Sequence, residues 1–144
     1  MEQAVFQNRE ETIALWFRMW LEKKDLGLLE IFDADAVYTE SWGPEYHSAG
    51  KVLHWFREWN ARGTVELWDI RGYLHGGDRT VVEWLFRCRM DDGTVQSFEG
   101  ISLVEWTPSG KILSLKEFGC NLDRYDPYRD GPEPRFRQEK ALWF

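Results

Sequence analysis

The stretch RTVVEWLFRCRM-DDG-TVQSFEGISLVEW, residues 79–106, decides the fold. Apolar and polar residues alternate with period two on both sides of Asp92-Gly93, the pattern of half-buried strands. Two such runs joined by Asp-Gly read as a β-hairpin closed by a two-residue turn with both φ angles positive. That turn sets Asp91 opposite Thr94. The same period extends outward to Glu66–His75 on one side and Lys111–Cys120 on the other. Gly76-Gly77-Asp78 and Pro108-Ser109-Gly110 supply the remaining turns. Four consecutive antiparallel strands are therefore expected from Glu66 to Cys120.

Upstream the period is helical. Ile13, Trp16, Phe17, Trp20 and Leu21 form one apolar stripe, with Asn8 and Glu11 spaced as a capping box. Asp25 can cap a short second helix through Leu28, Leu29 and Phe32. A strand from Ala36 to Glu40 is broken by Ser41-Trp42-Gly43-Pro44. Ser48 then caps a third helix, which runs from about Gly50 to Ala61 and stops at Gly63. It sets Val52, Trp55, Phe56 and Trp59 on one face. The architecture is α+β: three N-terminal helices, then an antiparallel meander with one face to cover. Residues 1–121 read as one domain. Residues 122–144 carry three prolines and many charges and end Ala141-Leu142-Trp143-Phe144, so they read as an extended arm with a short terminal helix, packing on its own domain or on a partner subunit.

The 144 residues carry a net charge of −7, and 16% of them are aromatic: nine Trp, nine Phe and five Tyr. The acidic balance argues against nucleic-acid binding and against docking on an anionic membrane, both of which need basic patches. No apolar run is long enough to span a bilayer. Met1-Glu2-Gln3-Ala4 has no signal-peptide pattern, which points to the cytoplasm. Cys88 and Cys120 are too few for a disulfide framework, and three scattered histidines give no zinc spacing, so no metal is expected.

With Asp91 opposite Thr94, Glu83 falls opposite Ser102 and Arg87 opposite Phe98, and the next turn pairs Ser102 with Leu115. One sheet face then carries Glu83, Leu85, Arg87, Phe98, Ser102, Val104, Trp106, Leu115 and Glu117. The other carries Val82, Trp84, Phe86, Cys88, Ile101, Leu103 and Phe118. Three helices can cover only one face. The apolar set led by Trp84, Phe86, Ile101, Leu103 and Phe118 is therefore expected to form a homodimer interface.

This layout resembles the cone-shaped α+β fold of nuclear transport factor 2, ketosteroid isomerase and the SnoaL-like polyketide cyclases. The resemblance is carried by Phe32-Asp33-Ala34-Asp35-Ala36 leading into Val37-Tyr38-Thr39-Glu40, by Gly43 and Gly50, and by Ser109-Gly110-Lys111-Ile112 through Glu117-Phe118. It covers about residues 9–121 and implies a curved sheet wrapped around a pocket. Ketosteroid isomerases use a carboxylate base with a Tyr and a protonated Asp as oxyanion donors. The resemblance puts the base position on Glu40, but the donor positions on Trp16 and Ser102, so steroid isomerisation by that route does not fit. The Asp-Arg-Asp set of limonene epoxide hydrolases is also missing, because Gly100 and Val104 flank Ser102 at that spacing.

Glu40 is the leading candidate for a general base. Tyr38, two residues earlier on the same face, can donate a hydrogen bond. Glu117 or Glu83 can form an acid–base pair with Glu40, although Glu83 with Arg87 also reads as a structural ion pair lining the pocket. His47, in the loop after Glu40, is either a proton shuttle or simply exposed; His54 and His75 read as surface. The pocket wall is expected from Trp16, Trp20, Trp42, Phe56, Trp68, Phe98 and Trp106, with Arg87 and Ser102 as polar contacts. The ligand is expected to be an apolar, ring-containing small molecule. Two functions fit: a cofactor-free isomerase, cyclase or dehydratase with Glu40 as base, or a non-catalytic ligand-binding or dimeric assembly module of the same fold.

Overall fold

A computed structural model describes residues 2–137 of the chain. Helix α1, Glu2–Glu22, begins one and a half turns before the expected capping box. Nothing from Glu2 to Gln7 breaks a helix, so Asn8 and Glu11 lie inside it, where Gln7 Nε2 donates to Glu11 Oε1 at 3.3 Å. The helix closes when Lys23 turns to φ 56°. The Lys24 and Lys23 amides then return to the carbonyls of Met19 and Trp20 at 3.0 and 3.3 Å, a Schellman closure. Asp25 accepts from the amides of Gly27 and Leu28 at 2.9 and 2.8 Å and so starts the short helix α2, Leu28–Ile31.

Strands β1, Phe32–Thr39, and β2, Glu45–His47, lead into α3, Ala49–Arg62. The Ser48 hydroxyl caps α3 by accepting from the Lys51 amide at 3.2 Å. Strands β3, Gly63–Gly76, β4, Arg79–Met90, β5, Val95–Trp106, and β6, Ile112–Asn121, follow. The fold is α+β, on one six-stranded mixed sheet in the order β2-β1-β6-β5-β4-β3. The wholly antiparallel sheet expected from the sequence is corrected here: β1 lies beside β6 and runs parallel to it. The three-residue strand β2 is too short to announce itself by periodicity.

The hairpin register also differs from the sequence expectation. Met90 N donates to Thr94 O at 2.8 Å and Gly93 N to Met90 O at 2.9 Å, while Gly93 alone takes a positive φ, 91°. The connection therefore holds three residues, Asp91-Asp92-Gly93, with glycine at the left-handed position. Phe86 now faces Phe98 and Arg87 faces Ser97. A one-residue slip moves every β4 side chain to the other face relative to β5. Trp84, Phe86 and Cys88 join Phe98 and Ser102 on the helix-covered face, while Glu83 and Arg87 turn outward. Between β5 and β6 the slip is two residues, with Ser102 opposite Glu117, and the faces are unchanged.

The aromatic residues pack mainly between helices and sheet. Trp16 is fully buried at the centre, with the rings of Phe32, Tyr38, Trp20 and Phe56 within 6.0 Å. Phe17 stacks on Trp68 at 3.8 Å. His75, expected at the surface, lies nearly buried against α1, between Glu10 Oε2 and Thr80 Oγ1 at 2.8 Å each and stacked on Phe6. The start of the arm is exposed and irregular, and Arg124 reaches Glu99 on the outer sheet face. The expected terminal helix at Ala141–Phe144 lies outside the described residues. No helix among those described is long and apolar enough to cross a membrane.

Candidate functional site

Glu40 leaves β1 into a tight turn. Its amide donates to Pro44 O at 2.9 Å and its carbonyl accepts from Gly43 N at 3.2 Å. Gly43 sits at φ 125°, a conformation in which a side chain would be strained. The turn returns the chain as β2 with Tyr46 opposite Tyr38, and the Tyr46 hydroxyl donates to Glu40 Oε2 at 3.0 Å. On the other side of β1, Tyr38 pairs with Leu115. Period two then brings Glu117 onto the same face, where it accepts from the Tyr38 hydroxyl at 2.9 Å. Each carboxyl is thus held by one tyrosine.

Both carboxyls line a cavity of about 260 Å³ between α1, α3 and the sheet. Its walls are Trp20, Trp55, Trp59, Trp68, Trp84, Phe86 and Phe98, with Cys88, Met90 and Gln96 at the hairpin end. Trp55 stacks on Tyr46 at 4.5 Å. Trp42, 53% exposed, stands at the rim with Ser41 and Arg62. Arg62 Nε is engaged by Glu58 Oε1 at 2.7 Å.

Burial, and next the charge of Glu40, push the Glu117 carboxyl up to about 8, against the Tyr38 hydrogen bond. Burial also raises Glu40, opposed by the Tyr46 hydroxyl, the Arg62 charge and the Trp42 indole. Of the two, Glu117 is therefore the carboxyl that keeps its proton to higher pH, and Glu40 the one that releases its proton first. Tyr38 is raised well above its ordinary value, first by burial and then by Glu117, and Tyr46 is raised by burial and Glu40, so both stay neutral hydrogen-bond donors. Burial pushes the Cys88 thiol up to about 11, which leaves it inert at neutral pH.

Of the residues singled out from the sequence, Glu40, Glu117, Tyr38, Trp20, Trp42, Trp68 and Phe98 meet at this cavity. Glu83 and Arg87 do not, because the hairpin slip turns them outward, where Arg87 pairs with Glu66 at 2.9 Å. His47 is exposed on β2 and pairs with Glu45 at 2.9 Å. Trp16 and Phe56 lie beneath the wall, in the core. The Ser102 hydroxyl accepts from Trp84 Nε1 at 2.9 Å, and Trp106 Nε1 donates to Thr80 Oγ1 at 2.9 Å; neither Ser102 nor Trp106 lines the cavity. Trp84 and Phe86, expected at a subunit interface, line the cavity instead. Tyr46, Trp55, Trp59 and Arg62 also line it, and the sequence reading misses all four as site residues. The shared face of Trp55, Phe56 and Trp59 on α3 is the available signal, and of the three Phe56 is the one that does not line the cavity. Among the described residues no cluster of three His, Cys, Asp or Glu side chains is placed to hold a metal ion.

A family model for the SnoaL-like domain matches residues 13–115. No curated protein matches the chain. Among solved structures, a protein from Bacillus subtilis assigned as an isomerase superposes with a TM-score of 0.71 at 16% identity, covering 81% of this chain and 88% of that one. An LEH-like epoxide hydrolase from M. tuberculosis gives 0.70 at 10% identity, covering 79% and 84%. A Mesorhizobium loti protein assigned as a SnoaL-like polyketide cyclase gives 0.61 at 17% identity, covering 76% and 97%. At these identities the likeness is one of fold.

Proposed function

The chain belongs to the SnoaL-like domain family, and on that footing we propose that it binds a small ring-containing molecule and moves protons on it without a cofactor. Glu40, the ionised member of the pair, takes a proton from a carbon beside a carbonyl. The Glu117 carboxyl, still protonated at neutral pH, donates to the oxygen on which charge develops. This is chemistry of the isomerase, cyclase or dehydratase kind. The observation that carries the proposal is the placement of two carboxyls with separated proton affinities on one aromatic cavity. A panel of cyclic ketones tests it, whichever compound is the natural substrate. Each ketone is incubated with the protein in D2O and followed by NMR for exchange of the protons next to the carbonyl. Wild type accelerates exchange of at least one ketone, and Glu40→Gln loses at least a hundredfold of that acceleration with an unchanged melting temperature. Exchange retained in the variant removes Glu40 from the role.

A second reading, a ligand-binding module without turnover, is favoured by the positions that carry oxyanion donors in ketosteroid isomerases. Trp16 is in the core and Ser102 is taken by Trp84. In that case ligands bind and no ketone exchanges.

We also propose that two copies associate through the outer sheet face. Ile101 and Phe118 face each other across β5 and β6 on that side, Leu103 is next to them, and Phe118 is 48% exposed. Phe118→Glu is expected to halve the mass measured by light scattering without changing the circular dichroism. A mass equal to wild type rules this interface out.

A further inference from the structure

Ten of the seventeen residues that line the cavity are aromatic, and six of those are tryptophans. Ring faces carry partial negative charge, and tryptophan gives the strongest cation–π contact. The charged lining residues are Glu40, Glu117 and Arg62. Arg62 sits on the solvent side and is already engaged by Glu58 at 2.7 Å. The remaining titratable lining groups, Tyr38 and Tyr46 on β1 and β2 and Cys88 on β4, stay neutral. With one proton between them, the two carboxyls leave one negative charge among the rings. A neutral apolar ligand leaves that charge poorly solvated. An anion adds repulsion. A cation with carbon substituents meets both the charge and the ring faces.

We infer that the cavity selects a small organic cation, a tertiary or quaternary ammonium whose carbon groups lie on the tryptophan faces and whose charge is met by Glu40 and Glu117. A primary ammonium fits less well. It is strongly hydrated and brings three N–H donors, each of which needs an acceptor once water is stripped from it. A quaternary nitrogen needs none. The inference rests on the proposal that this cavity is the ligand site, and it names the ligand class. It also serves the proposed chemistry, since a positive charge near the reacting carbon stabilises the negative charge that develops as Glu40 removes a proton.

The experiment compares choline with its carbon isostere, in which a quaternary carbon replaces the nitrogen, by calorimetry on the full-length protein. At pH 7 choline is expected to bind at least tenfold more tightly, and Glu40→Gln is expected to abolish that preference while retaining the isostere. The wild type supplies a check that needs no variant. Choline does not change charge with pH near neutrality, so its affinity tracks the pocket: it falls as acid protonates Glu40 and rises again above about pH 8, where Glu117 ionises. The isostere shows neither change. If the isostere binds as tightly as choline, the cation inference fails and the cavity stands as an apolar ligand site. If neither binds at millimolar concentration, the ligand-site proposal falls with it.

Discussion

Wild-type stability is expected to fall by several kcal/mol between about pH 5 and pH 8, and Glu117→Gln is expected to remove most of that slope. Folding raises the Glu117 carboxyl from its ordinary 4.5 to about 8, chiefly through burial. Between those values the folded protein holds a proton that the unfolded chain has released. Stability therefore decreases as pH rises, by up to about 1.4 kcal/mol for each pH unit, and levels off above about 8. Glu40, raised in the same direction by burial, adds to the same downward slope. Asp25, Asp92, Glu58 and Glu66 are lowered by hydrogen bonds or arginines, so their contributions are lost only in more acid solution. Glutamine keeps the shape of the protonated carboxyl and can still accept from Tyr38, but it cannot ionise. Urea unfolding at pH 5, 6.5 and 8 checks the expectation. A wild type with equal stability at all three places the buried proton elsewhere, as does a Glu117→Gln slope equal to that of wild type. If stability falls and the variant is flat, the carboxyl that the proposed reaction needs as an acid is protonated at neutral pH.

Most of the fold is legible in the sequence because strand and helix periods are local. The strand Arg79–Met90 and the Ser48 cap sit where the alternation and the serine place them. Glu117 is legible for the same reason: a two-residue register error on β6 leaves its face unchanged. The hairpin is harder to read. Asp92-Gly93 is compatible with a two-residue turn and with a three-residue loop that puts only the glycine at positive φ. The choice is made by long-range packing, which buries Trp84 to 1% exposure against Trp68 and Phe98. That single residue moves Trp84 and Phe86 from an expected interface into the cavity and Glu83 and Arg87 out of it. Tyr46 gives no sequence signal because its role depends on β2 folding back beside β1, a contact with no period of its own. The aromatic excess has one main destination, with core and cavity wall continuous from Trp16 through Trp20 to Trp68.

Gly100→Ala is expected to cost more than about 3 kcal/mol, and Gly100→Val to prevent folding. Gly100 faces Gly119 on one side and Trp84 on the other. A Cβ built there meets the carbonyl oxygen of Phe118, a backbone atom that cannot swing aside, and lies 2.9 Å from Trp84 Cη2. The indole can yield only by moving into the cavity or by giving up its hydrogen bond to Ser102, whose buried hydroxyl would then lose the donor it accepts from. Either response couples the backbone to the site: the missing side chain at Gly100 is the space in which Trp84 stands as cavity wall. Urea unfolding measures the cost, and near-ultraviolet circular dichroism reports the displaced indole. A Gly100→Ala protein within about 1 kcal/mol of wild type and with an unchanged aromatic spectrum would mean that β5 and β6 separate easily, and that the wall set by Trp84 is less rigid than its burial implies.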